Sequence, residues 1–121
     1  MSDRIVISVF EVVGSALCIA ADDGQKVYER VAMALRGGRN VTLSFRNVTG
    51  LTPAFLNAAI GQLYGVFSEE HIRAHLQVSE MEPEDLLLLK RVVETAKAYF
   101  SDPERFRRVT QDMLEDSDDE V

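Results

Sequence analysis

The sequence has no tryptophan and a single cysteine, Cys18. One thiol excludes an internal disulfide, which fits a reducing compartment. No phosphate-binding loop is present either, because Gly37-Gly38-Arg39 lacks the glycine spacing and the lysine that cradle phosphates and reads instead as a helix end and turn. No apolar run approaches the roughly 20 residues that a membrane-spanning helix needs. The opening MSDRIVISVF has neither a long apolar core nor a small-residue cleavage site, so we expect a cytoplasmic protein with no membrane contact. A basic excess is absent as well. The formal net charge is -7, and beyond Gln111 stand Asp112, Glu115, Asp116, Asp118, Asp119 and Glu120 with no base. That leaves 14 acids against 13 bases in residues 1–111. A nearly neutral body lacks the positive field of nucleic-acid binding, so DNA and RNA are not expected partners. No Ser–His–Asp, Cys–His or paired-carboxylate arrangement stands out, and no cofactor motif does; we expect a non-enzymatic protein without a cofactor.

What the chain does have is organised around residues 41–66. Val41, Leu43 and Phe45 alternate with Thr42 and Ser44, the period-two pattern of a strand with two distinct faces. Asn47 and Gly50 mark a turn. Thr52-Pro53 is a helix-start signal, since the threonine oxygen can accept from a free backbone N–H and proline has no N–H to leave unpaired. Phe55, Leu56, Ala59, Ile60, Leu63 and Tyr64 then form one stripe of a helix continuing to Val66. A helix that follows a strand directly starts at the carboxyl edge of the sheet, where α/β proteins present working surfaces.

Around this unit the chain reads in order. Ile5 to Phe10 predicts a strand apolar on both faces, hence central or well covered. Ala16 to Ala20 is a short apolar run, either a strand or an extended connection. Asp22, Asp23 and Gly24 open a helix whose buried stripe is Val27, Val31 and Leu35, flanked by Tyr28 and Ala32, and which ends at Gly37-Gly38. Ser68 to Ala74 is a polar connection with room for a helical turn. HLQVSEM, residues 75–81, suggests an edge strand. Pro83 opens a helix with Leu86, Leu89, Val93, Ala96 and Phe100 on one stripe, widened by Leu87, Leu88 and Val92 as if covered on a second side. Asp102-Pro103 repeats the start signal before Phe106, Val109 and Met113. Residues 115–121 are too charged to bury apolar area and read as a disordered acidic tail. With 121 residues the chain supports one core. The expected organisation is a single α/β domain over residues 1–114 followed by the tail 115–121.

Four side groups invite a chemical reading and have plainer ones. His71 and His75, four apart, would face one way on a helix, but a zinc site normally needs three or four ligands and no further ligand has diagnostic spacing, so no metal is expected. Cys18 sits in an apolar run without a base, the setting of an inert buried thiol. Arg105, Arg107 and Arg108 form a small basic patch beside the acidic tail, balanced locally by it, and Ser117 is a tail serine among acids.

The residues Val41, Leu43, Phe45, Val48, Thr49, Leu51, Thr52, Phe55, Leu56 and Asn57, following a glycine-ended helix, together resemble the STAS-like family of unknown function, relatives of the STAS domains named for sulfate transporters and anti-sigma factor antagonists. The resemblance covers about residues 5–100. It implies a mixed β-sheet flanked by helices, in accord with the independent reading. In the anti-sigma factor antagonists that the pattern resembles, the helix after the central strand starts with a serine or threonine that a partner kinase phosphorylates, and that end of the helix docks on the kinase. Here the usual acceptor position falls on Pro53, which leaves Thr52 as the candidate phosphoacceptor. Ser44 stands where the pattern often has aspartate. The implied function is a regulatory module that binds a protein partner, an ATPase or kinase of the histidine-kinase fold, through Thr49, Gly50, Leu51, Thr52, Pro53, Ala54 and Asn57. The alternatives are a small-ligand or nucleotide sensor using the same helix N-terminus, and a homo-oligomer joined through the stripe from Leu86 to Phe100.

Overall fold

A computed structural model describes residues 4–101. Three short strands pair in parallel in the order β1 (Ile5–Ser8), β3 (Val41–Ser44), β5 (Leu76–Ser79). The register sets Ile7 opposite Leu43 and Leu43 opposite Val78. A second, two-residue pairing joins β2 (Leu17–Cys18) to β4 (Gly50–Leu51), also in parallel. Every pairing among the described residues is parallel, where a mixed sheet was expected. The helices are α1 (Val9–Val13), α2 (Ala21–Arg36), α3 (Pro53–Ala59), α4 (Glu69–His75) and α5 (Pro83–Ser101), with a 3-10 helix over Gly61–Gly65. None of the described helices is long and apolar enough to cross a membrane.

The central strand is β3, not the first one. All four of its residues are buried. β1 lies at the edge, and its Val6 is 69% exposed. The alternation from Ile5 to Phe10 misleads because the strand stops at Ser8, whose hydroxyl accepts from the Glu11 N–H at 3.1 Å and caps α1. Gly14, at φ 79°, closes that short helix in the left-handed region open to glycine. Val9 therefore enters the core as the first residue of a helix.

The core forms where the inward side chains of the sheet meet α2 and α3. Ile7, Leu43 and Phe45 are covered by Val27, Val31 and Leu35 of α2 together with Phe55 and Leu56 of α3. Gly24 permits this approach. A Cβ there would overlap the Phe55 carbonyl oxygen and the Ala58 side chain, so α2 can cross α3 closely only at a glycine. The expected 53–66 helix breaks at Ile60. From there Leu63 N–H bonds the Ile60 carbonyl at 3.0 Å and Val66 N–H the Leu63 carbonyl at 3.0 Å, the tighter three-residue pattern that Gly61 and Gly65 accommodate. Leu63 stays fully buried.

The segment after Ser68 is a two-turn helix and not merely a connection. Ser68 caps it by accepting from His71 N–H at 3.1 Å, and Glu69 pairs with both Arg73 and Lys97. α5 buries Leu89, Val92 and Ala96 but leaves Leu86 and Leu87 exposed, so it is covered on one side and not two. The expected helix after Pro103, the arginine patch, Ser117 and the domain boundary before residue 115 all lie outside the described residues.

Candidate functional site

The strand, turn and helix start predicted from residues 41–57 form one braced surface. β3 ends at Ser44, whose hydroxyl accepts from Arg46 N–H at 3.3 Å and donates to a Glu80 carboxylate oxygen at 3.4 Å. The turn reverses through Asn47 at φ 69°, a region asparagine tolerates better than most residues, while Val48 N–H bonds the Phe45 carbonyl at 3.1 Å. β4 then docks on β2. Thr49 and Gly50 N–H both reach the Ala16 carbonyl, at 2.8 and 3.2 Å. Gly50 faces Leu17 so closely that a Cβ would sit 3.1 Å from the leucine methyl.

Thr52 holds the helix start in place by two bonds from one hydroxyl. It accepts from Phe55 N–H at 3.1 Å and donates to the Ile19 carbonyl at 2.5 Å. The cap expected from Thr52-Pro53 is thus present, together with a tie to the β2 connection that the sequence did not suggest. A phosphate on Thr52 would have to displace that tie. Phe55 and Leu56, one turn further on, are fully buried and anchor α3 from below.

Of the seven residues singled out for partner binding, Thr49, Pro53, Ala54 and Asn57 are exposed, and Gly50, Leu51 and Thr52 are half-buried. They share one further property. Residues 47–68 carry no aspartate, glutamate, lysine, arginine or histidine, in a chain that is 27% charged. The exposed part of β4 and α3 is therefore an electrically neutral surface.

Two crevices flank it. One of about 360 Å3 lies at the carboxyl ends of β3 and β5, between Asn47, Leu51, Glu80 and Asp85. The other, about 500 Å3, is an open trough between α3 and α5, with Pro53, Ala54 and Asn57 on one wall and Leu88, Arg91 and Thr95 on the other. The α5 wall was missed in the sequence. Its signal was there, because Leu88 and Val92 widen the apolar stripe of α5 beyond what one buried face requires.

The remaining chemical candidates take structural places. His71 Nε2 lies 2.9 Å from the Leu35 carbonyl and His75 Nδ1 2.9 Å from the His71 carbonyl. A carbonyl oxygen only accepts, so each of these nitrogens carries a hydrogen and is closed to a metal. Among the described residues no group of three or more His, Cys, Asp or Glu is placed to hold a metal ion. Cys18 is fully buried, and its thiol pKa is pushed up to about 11, by burial first and by the Asp23 carboxylate second. Such a thiol is a poor nucleophile. Gly37 and Gly38 close α2 as expected, Gly38 at φ 71° with its N–H on the Leu35 carbonyl at 3.0 Å.

No curated protein and no solved structure matches the chain. The pattern of one domain family does. It runs over residues 23–86, narrower than the span of about 5–100 suggested by resemblance, and contains α2 from Asp23 onward, the central strand, the turn and all of α3. By that match the chain belongs to the family described as STAS-like domain of unknown function (DUF4325).

Proposed function

We propose that the protein is a non-enzymatic regulatory module that binds a protein partner through the neutral surface of β4 and the start of α3. The observation that carries this reading is the charge-free stretch 47–68. It exposes Thr49, Pro53, Ala54 and Asn57 on a backbone that Phe55, Leu56 and the Thr52 hydroxyl hold rigid. Depletion of charge marks the centre of protein interfaces, and a surface already fixed loses little entropy on binding. The likeness of this segment to the docking end of anti-sigma factor antagonists supports an ATPase or kinase of the histidine-kinase fold as partner. In this reading Thr52 serves the surface as a cap and tie, and regulation does not require its phosphorylation.

The test is co-purification of the tagged chain from its native host, with proteins identified by mass spectrometry. Recovery of a histidine-kinase-fold ATPase is expected from the wild-type chain and from an exposed control, Glu29→Ala. Ala54→Glu should lose it. Equal recovery with Ala54→Glu would remove the proposed surface, and recovery of no such ATPase would remove the proposed partner class.

A further inference from the structure

The crevice at the carboxyl ends of β3 and β5 has a chemistry unlike that of the neutral surface beside it. Its volume of about 360 Å3 falls within the range of small-molecule sites, roughly 300–1,000 Å3. Val48, Leu51 and Met81 give it an apolar lining, and all three pack against the core. Four charged side chains line the same crevice: Arg46 from the turn after β3, Glu80 and Glu82 from the turn after β5, and Asp85 from the first turn of α5. Although they differ in sign, none of them is ion-paired among the described residues, to one another or to any other group. Glu80 accepts from the Ser44 hydroxyl at 3.4 Å, and the rest of its carboxylate stays open to a donor.

Glu80 stands there at a conformational cost. It follows β5 directly at φ 56°, in the left-handed region that glutamate seldom adopts and glycine adopts freely. Glycine would relax the backbone and remove the carboxylate. Strain of this kind gathers at ligand clamps, where a side chain in a fixed place matters more than a relaxed backbone.

One guanidinium against three carboxylates leaves the crevice a net charge of -2. A simple anion would meet the carboxylates, and a simple cation would leave Arg46 unmatched. A ligand that satisfies both signs carries a carboxylate for the guanidinium, which binds it with two parallel bonds, and cationic groups for the acids. Between them it needs an aliphatic stem for the apolar lining. A basic amino acid has all three parts. From this lining and the unpaired charges we infer that the crevice between the β3 and β5 turns binds a basic amino acid. Its α-carboxylate meets Arg46, its stem lies along Leu51 and Met81, and its two cationic groups fall among Glu80, Glu82 and Asp85. The inference does not rest on the partner reading, since none of the four charged groups belongs to the proposed partner surface.

Amide NMR of the full chain titrated with L-arginine tests it, with agmatine, which lacks the carboxylate, and L-citrulline, which lacks the side-chain charge, as comparisons. L-arginine should move the signals of residues 46–51 and 80–85 saturably at millimolar concentration, and agmatine and L-citrulline should each bind about tenfold more weakly. Arg46→Ala should bring L-arginine down to the level of agmatine and leave agmatine unchanged. Glu80→Gly, which relaxes the backbone, should weaken both while the signals of residues 27–43 stay in place. The absence of a saturable change with L-arginine would overturn the inference. Equal affinity for all three compounds would do so too, because the crevice would then read neither of the ligand's charges.

Discussion

At the scale of single residues, Thr52 carries more than its cap. A helix cap alone is worth about 1 kcal/mol, and here the same hydroxyl also ties α3 to the Ile19 carbonyl. Thr52→Ala should cost about 1–2 kcal/mol in denaturant unfolding, while Thr52→Ser, which keeps the oxygen, should recover most of it. A loss below about 0.5 kcal/mol would mean that the hydroxyl does not brace the site. Cys18 gives a pH signature. Its thiol holds its proton more tightly in the folded chain, where the pKa is about 11, than at the ordinary value of 9.0. The stabilisation from keeping it neutral is therefore complete below pH 9 and is lost as pH rises through about 11. Wild type should lose more stability than Cys18→Ala across that window, and the native thiol should resist alkylation at pH 8 until the chain unfolds.

At the scale of elements, the fold depends on the crossing of α2 and α3. Gly24 lies against the Phe55 carbonyl and Ala58, and a backbone atom cannot move aside as the end of a long side chain can. Gly24→Ala should thus destabilise by about 1–3 kcal/mol, the range for forcing extra atoms into a packed core, although alanine favours a helix in isolation. A neutral or stabilising result in thermal unfolding would show that α2 and α3 do not meet as described. The crossing also shows what was legible in the sequence. The α2 stripe of Val27, Val31 and Leu35, the strand at Val41, the Thr52-Pro53 start and the edge strand near Leu76 follow from local spacing and end signals, and they are present. What failed depended on tertiary partners. Ile5 to Phe10 alternates like a buried strand, yet only the Ser8 hydroxyl decides that Val9 starts a helix. Gly24 reads as a helix-start marker until α3 is seen beside it. The α3–α5 trough needed two segments separated by about thirty residues of sequence, and the widened stripe at Leu88 and Val92 signals a second contact on α5 without naming α3 as the other wall.

At the scale of the whole molecule, the acidity and the proposed binding surface are segregated. Residues 1–111 are nearly balanced, and within them residues 47–68 present no charge at all. A partner meeting that surface gains from shape and apolar contact more than from charge, so capture should depend weakly on ionic strength. A large loss of affinity between low and physiological salt would point to a charged face elsewhere on the chain.

The most direct test of the central claim is amide hydrogen exchange of the chain alone and with a captured partner bound. The expected result is added protection concentrated over residues 49–57, with the β1 edge and the outer face of α2 unchanged. Protection confined to other elements, with residues 49–57 exchanging as in the free chain, would contradict the proposal that the start of α3 is where this protein binds.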